Sequence, residues 1–321
     1  MGADVRSDRP ELIKAVPLRH PWRSASAAVI VVLLALFIYG AATNGAYQWG
    51  IYGRYLFDQR VSQAALVTLW LTVLSMVAAV VLGVVLAVMR LSDNPVLRSL
   101  AWVYLWFFRG TPVFVQLTFW GLVTSIYSRI DLGVPFVVQL AHIDTKTAFT
   151  LFQLAVIGLA LNEAAYMAEI VRAGIGSVDE GQAEAAMALG MPWALVMRRV
   201  VLPQAMRVII PPTGNEVISM LKTTALVVAV PYTFDLYARS GDIGNTLYAP
   251  IPLLLVASTW YLAITSILMV GQYFLEKRFA RGIGDARPAA TESSPQTGAI
   301  AVAETTSSVD PTNFPDGKAH L

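Results

Sequence analysis

The chain contains no cysteine and only three histidines, His20, His142 and His320. Disulfides, thiolate or iron–sulfur ligation and a cysteine nucleophile are therefore excluded, and a histidine-built site has little to draw on. Charge is scarce too: 14% of the 321 residues are Asp, Glu, Lys or Arg, while 56% are hydrophobic. Soluble proteins carry about 25% charged residues. Also missing is a Gly-x-x-x-x-Gly-Lys-Ser/Thr phosphate loop, so nothing in the chain is built to hydrolyse a nucleotide. An apolar excess of this size needs lipid as its solvent. A hydrocarbon core about 30 Å thick takes about 20 mostly uncharged helical residues per crossing, and the length accommodates five or six.

Six apolar runs stand out, in order Ser26–Ala42, Val61–Met89, Leu100–Tyr127, Phe149–Ile170, Val208–Val230 and Ile251–Phe274. The expected fold is an all-α polytopic membrane protein of about six transmembrane helices. The first run follows Arg6, Arg9, Lys14, Arg19 and Arg23, as a signal peptide would. The leader is too long and Ala41-Ala42-Thr43 too poor a cleavage site for that, so it reads as a retained helix over 25–43 behind a segment 1–24. The third run is broken by Arg109-Gly110-Thr111-Pro112, and the fifth carries Pro211-Pro212 followed by Gly214, which predicts a kink. Beyond Arg287 the composition turns to Ala, Thr, Ser, Pro, Gly and Asp, so 288–321 is expected to remain a disordered tail.

Six crossings put both termini on one side and divide the loops into two sets. One holds Arg90 and Arg98, Arg172, Arg198, Arg199 and Arg207, Lys277, Arg278, Arg281 and Arg287, together with the N-terminal cations; the other holds only Arg54, Arg60, Arg129, Lys146 and Arg239. This bias of about threefold predicts that the first set, and both termini, are cytoplasmic. Tyr47, Trp49, Tyr52 and Tyr55, with Tyr127, Tyr232, Tyr237 and Tyr248, fall near the opposite ends, the depth aromatics favour.

The longest cytoplasmic loop, 172–207, has punctuation of its own. Ser177-Val178-Asp179-Glu180 fits a capping box, Gln182 to Leu189 is nearly all strong helix formers, and Gly190 followed by Pro192 is a stop. A helix of about three turns is predicted, with small residues that let another backbone approach closely. It is suited either to a groove in a partner protein or to the membrane surface.

The fuller pattern is Glu184-Ala185-Ala186, three residues, Gly190, nine residues, Val200, one residue, Leu202-Pro203. This resembles the EAA loop of ABC importer permeases, with valine where that family usually has isoleucine. The segments Ala165–Ile175 and Gly181-Gln182 are similar to the run before that loop in the polar amino-acid branch. Phe108-Arg109-Gly110-Thr111-Pro112-Val113-Phe114-Val115-Gln116 looks like its FRGTP signature, and Leu221–Val227 resembles its KDTSL-like run, with Thr223 and Ala225 as departures. The resemblance covers roughly 61–276 and implies a five-helix permease core preceded by one additional helix. It further implies that Gly181, Gln182, Glu184, Ala185, Ala186, Gly190, Leu202 and Pro203 form a coupling helix and its support, seated on a cytosolic ABC ATPase dimer. The other implied partners are a second permease, identical or homologous, an extracytoplasmic binding protein and an amino-acid substrate; no nucleic acid is expected. ATP and Mg would sit on the ATPase, leaving this chain without a cofactor.

Charges inside the spans supply candidates for the path. Each costs about 2.5 to 3.5 kcal/mol at the centre of a span, so none should face lipid. Glu163 lies nine residues before Arg172, about 14 Å along a helix and so near mid-membrane. Asn162, Glu163 and Tyr166, with Glu216, Lys222 and Arg109, either line a polar path for a zwitterion or pair among themselves and hold the bundle. Glu169 and Arg172, three apart, read as a structural ion pair. The alternative function is an ion-coupled secondary transporter with Glu163 and Glu216 as proton or sodium sites, which would favour repeated halves; none is evident.

Overall fold

The computed structural model describes residues 21–134 and 138–279. The expected tail 288–321, and all but the end of the expected segment 1–24, lie outside the described residues. The first helix, α1 (Pro21–Thr43), is apolar all round and buries none of its apolar window against the rest. A single turn of 3-10 helix and then α2 (Trp49–Tyr55) follow. Here the clustered aromatics find their use. Trp49 Nε1 donates to Ala41 O (3.2 Å), Tyr52 OH lies 3.1 Å from Thr259 Oγ1, and Ile51, Tyr52 and Tyr55 pack on a core of Val61, Leu236, Leu253 and Val256.

Asp58 caps α3 (Gln59–Leu91) by accepting from Arg60 N (2.9 Å). An elbow leads to α4 (Pro95–Gly110), capped by Asn94, and then α5 (Val113–Ile126). A hairpin follows, β1 (Arg129–Val134) antiparallel to β2 (Val138–Asp144), with Arg129 opposite Asp144 and a bulge at Leu132/Gly133. The short α6 (Thr145–Ala148) leads to α7 (Leu151–Gly176), which opens with a Thr150/Gln153 capping box. After α8 (Glu180–Ala188), α9 (Trp193–Val196) and a π-helical turn over Met197–Val201 comes α10 (Leu202–Thr223). A 3-10 segment, Thr224–Ala229, leads to α11 (Leu236–Thr246) and α12 (Pro250–Phe279).

The spans are all-α, as expected, and the hairpin is an addition to them. Among the described residues four helices are long and apolar enough to cross a membrane: α1 from Ala25, α3, α7 and α12. The expected third span consists of two pieces, because Thr111 is extended at the break and the 14 residues of α5 reach only about 21 Å. The expected fifth starts earlier than the apolar run, at Leu202, and α10 carries Arg207, Glu216 and Lys222. It stays helical through Pro211-Pro212. Gln272 Nε2 of α12 donates to Pro211 O (2.8 Å), and Thr213 Oγ1 donates to Ile209 O (2.7 Å), binding polar groups around the prolines.

The centre of the fold is the α3–α7 pair. Ala79, Ala87, Ala164 and Ala168 are buried, and Gly83 lies so close to α7 that an added Cβ would stand 2.6 Å from Met167 Cβ. Small residues let the two backbones approach, the usual means of helix association where lipid removes the hydrophobic drive. Leu117, Leu154, Leu159 and Met220 extend this core to α5 and α10.

Candidate functional site

The break after α4 is stitched from within. Gln116 on α5 is buried, and its Nε2 donates to Phe108 O (3.0 Å), Thr111 O (3.1 Å) and Thr111 Oγ1 (2.7 Å). Asn162 on α7 completes the seam, with Nδ2 donating to Phe108 O (3.1 Å) and Gln116 Oε1 (3.0 Å). Non-helical backbone at membrane depth is tolerated where protein satisfies its polar groups, which is what these two amides do.

Behind the seam lies a cavity of about 590 Å³. Its floor is Arg109 to Val113. One wall is Leu159, Asn162, Glu163 and Tyr166 of α7, and the other is Glu216, Ser219, Met220 and Thr223 of α10. Both walls follow the i, i+3, i+4, i+7 spacing of a single helix face, so two polar stripes confront one another across the space. Glu163 is 7% exposed, and its Oε1 has no hydrogen-bond partner. The Arg109 guanidinium lies over the Tyr166 ring, 5.5 Å from the centroid. Among the described residues neither Arg109, Glu163 nor Glu216 makes a salt bridge. A cation and two carboxyl groups thus share a cavity, with the Glu163 and Glu216 carboxyls within hydrogen-bonding reach of one another across it. Among the described residues no cluster of three His, Cys, Asp or Glu could hold a metal ion.

The structure brings together Arg109, Asn162, Glu163, Tyr166 and Glu216 from the sequence candidates. Lys222 is not among them: it is exposed, one position off the α10 stripe, and the cation lining the cavity is Arg109, in its floor. Glu169 and Arg172 form the expected pair, Nε to Oε2 at 3.1 Å. Sequence reasoning missed Gln116, Ser219 and the cavity-lining role of Thr223. Gln116 stood inside the Phe108–Gln116 run, and Ser219 and Thr223 are three and seven residues beyond Glu216, a spacing that could have found them.

The second site is the loop carrying α8. Its N-cap differs from the expected box: Asp179, not Ser177, accepts from Gly181 N (2.8 Å), while Ser177 ends α7 and donates Oγ to Gly174 O (2.7 Å). Both residue types cap well, and the chain starts the new helix only after α7 has finished. The stop is as expected. Gly190 has φ +80°, its N–H bonds Met187 O (2.9 Å), and Met191 N–H bonds Ala186 O (3.2 Å), the two bonds of a Schellman end. Ala186 is buried against Val196 and Val201, fixing α8 on the turn that leads into α10. Gly181, Gln182, Glu184, Ala185 and Gly190 are exposed, as are Met187, Leu189 and Trp193. Leu202 and Pro203 are exposed at the start of α10. Immediately behind, α7 and α10 meet at Gly174, where an added Cβ would stand 2.2 Å from Ile209 Cγ1.

A split membrane helix lining a polar cavity, joined by tight packing to a capped helix with an exposed face, is the arrangement of a membrane transport component. The chain belongs to the family described as binding-protein-dependent transport system inner membrane component, which matches residues 79–281. It is therefore a multi-pass membrane permease subunit, not itself the ATPase of its system. It is 60% identical over 282 residues to the arginine transport system permease protein ArgU of Corynebacterium glutamicum, covering 88% of this chain and 87% of that one. The L-cystine transport system permease protein TcyL of Bacillus subtilis is 37% identical, covering 67% and 85%. Among solved structures, an amino acid ABC transporter crystallised with histidines matches with TM-score 0.58 and 32% identity, over 69% of this chain and 95% of that one. An inward-facing methionine transporter, MetNI, shares the fold at TM-score 0.56 and 17% identity. These relatives place the chain among the amino-acid permeases of its family and remove the support for ion-coupled secondary transport.

Proposed function

We propose that the chain forms the path by which a polar amino acid, of the cationic type, enters the cytoplasm, driven by ATP hydrolysis on a separate ABC ATPase dimer. The observation that carries this reading is the cavity between the α7 and α10 stripes, lined by the Arg109 guanidinium and the Glu163 and Glu216 carboxyls. Arg109 complements an α-carboxylate. The neighbouring Glu163 and Glu216 carboxyls offer acceptor oxygens for the α-ammonium and for a cationic side chain. A buried carboxyl oxygen without a partner is costly unless something arrives to satisfy it. The arginine-transporting relative supports the same substrate class.

The exposed face of α8 is the surface for the ATPase, with Glu184 at its centre and Ala186 and Gly190 shaping the helix. Closure of the ATPases would move α8, and the tight α7–α10 contact at Gly174 would carry the motion to the cavity walls. A second permease and an extracytoplasmic binding protein complete the assembly, with the α8 side and both termini cytoplasmic. The core spans 61–276, with 172–207 as the coupling loop. The test is ATP-dependent uptake of radiolabelled arginine into proteoliposomes holding the assembled importer. Glu163→Gln or Glu216→Gln should lower saturable uptake by about thirtyfold or more while the complex still assembles; wild-type uptake in both variants contradicts the reading.

A further inference from the structure

A second recess lies outside the transport path, in the corner where α3 turns into α4. It has a volume of about 500 Å³ and is lined by Arg90, Arg98, Ser99, Trp102 and Val103. Arg90 is half-buried, and among the described residues it makes no salt bridge and no side-chain hydrogen bond. Arg98 is exposed and reaches only the Ser92 carbonyl, at 3.3 Å. Of the carboxylates near this corner, Asp93 is exposed in the elbow and makes no salt bridge among the described residues, and Glu169 on α7, close enough to Arg90 to feel its charge, is bound to Arg172. Two guanidinium groups and the Ser99 hydroxyl are therefore left facing one recess.

The surroundings indicate what fills it. Along α4 the recess opens onto Trp102 and Trp106, 53% and 64% exposed and stacked at 6.4 Å between centroids, beside the exposed Val103. An exposed indole pair next to paired arginines at the end of a span marks the depth where headgroups meet acyl chains. Arginine matches phosphate oxygens in a planar fork. We propose that this corner binds the phosphate of an anionic phospholipid through Arg90 and Arg98, with Ser99 donating a further hydrogen bond and the acyl chains lying along Trp102, Val103 and Trp106. The lipid would fasten the elbow beside the broken span, on the side of the bundle that also carries α8.

Native mass spectrometry of the full chain, exchanged from detergent into mixed micelles, tests this with three probes: phosphatidylglycerol, phosphatidylcholine and inorganic phosphate. The expected result is that phosphatidylglycerol is retained about tenfold better than phosphatidylcholine and is not displaced by millimolar phosphate. The pair Arg90→Gln and Arg98→Gln should lower its retention by about thirtyfold, from about fivefold per arginine near a headgroup surface. Should the double variant fail to fold, Arg98→Gln alone, at an exposed position, is expected to give the single fivefold loss, and Arg98→Lys to restore most of it. Equal retention of the two lipids, unchanged retention in the arginine variants, or displacement by inorganic phosphate overturns the proposal.

Discussion

The helices α7 and α10 run side by side, yet they behave in opposite ways at their two levels. At the cavity they present polar stripes, Asn162, Glu163 and Tyr166 against Glu216, Ser219 and Thr223, with space between them and a buried oxygen unsatisfied. Nearer α8 the same helices touch through Gly174 and Ile209, with no room for a methyl group. The difference assigns two tasks. In the proposed path the open, polar surface would receive the substrate and the close-packed surface would transmit displacement, because a packed contact cannot absorb motion by deforming. The cavity is therefore expected to be sensitive to loss of charge, and the contact to gain of volume.

The largest effect should come from the cavity. Glu163→Gln keeps the shape and removes the charge, and uptake in the assembled importer is expected to fall about thirtyfold or more, as when one partner of a buried charge pair is lost at roughly 2 kcal/mol or above. Next is the packed level. Gly174→Leu forces α7 away from Ile209, with an overpacking cost of about 1 to 3 kcal/mol. Thermal unfolding in detergent should shift down, and ATP hydrolysis should continue with little uptake; normal coupling in this variant would dissolve the distinction between the two levels. Glu184→Arg should leave insertion and cavity binding intact while weakening co-purification of the ATPase several-fold, since reversal of one rim charge acts chiefly on association. The smallest effect belongs to Lys222→Gln. Exposed and off the stripe, Lys222 should change arginine uptake less than twofold, and a loss comparable to that of Glu163→Gln would redraw the α10 wall.

Much of this contrast was legible in the residues. Arg109-Gly110-Thr111-Pro112 announces a broken span, Asn162, Glu163 and Tyr166 announce a polar face, and Gly190 ends α8 where glycine spacing requires. What escaped depends on three dimensions. The Gln116–Asn162 seam joins residues 46 apart, and no local pattern pairs two amides across two helices. Lys222 stands beside the stripe rather than on it, because composition shows that a charge lies in a span but not which face carries it. The hairpin at Arg129–Asp144 is too short and too interrupted by its bulge for a clear alternation. Asp179 displaced Ser177 as the cap because both residue types serve, and only the end of α7 decides between them.

The central claim is that the α7–α10 cavity holds the amino acid and changes its access when the ATPase works. The absence of cysteine makes it directly measurable with a single Ser219→Cys substitution, labelled by a membrane-impermeant thiol reagent in proteoliposomes containing the assembled importer. The account predicts that arginine slows labelling and that trapping the ATPases in their closed state moves the reactive side from the α8 face to the opposite one. Labelling that is indifferent to arginine and to the state of the ATPases would contradict it.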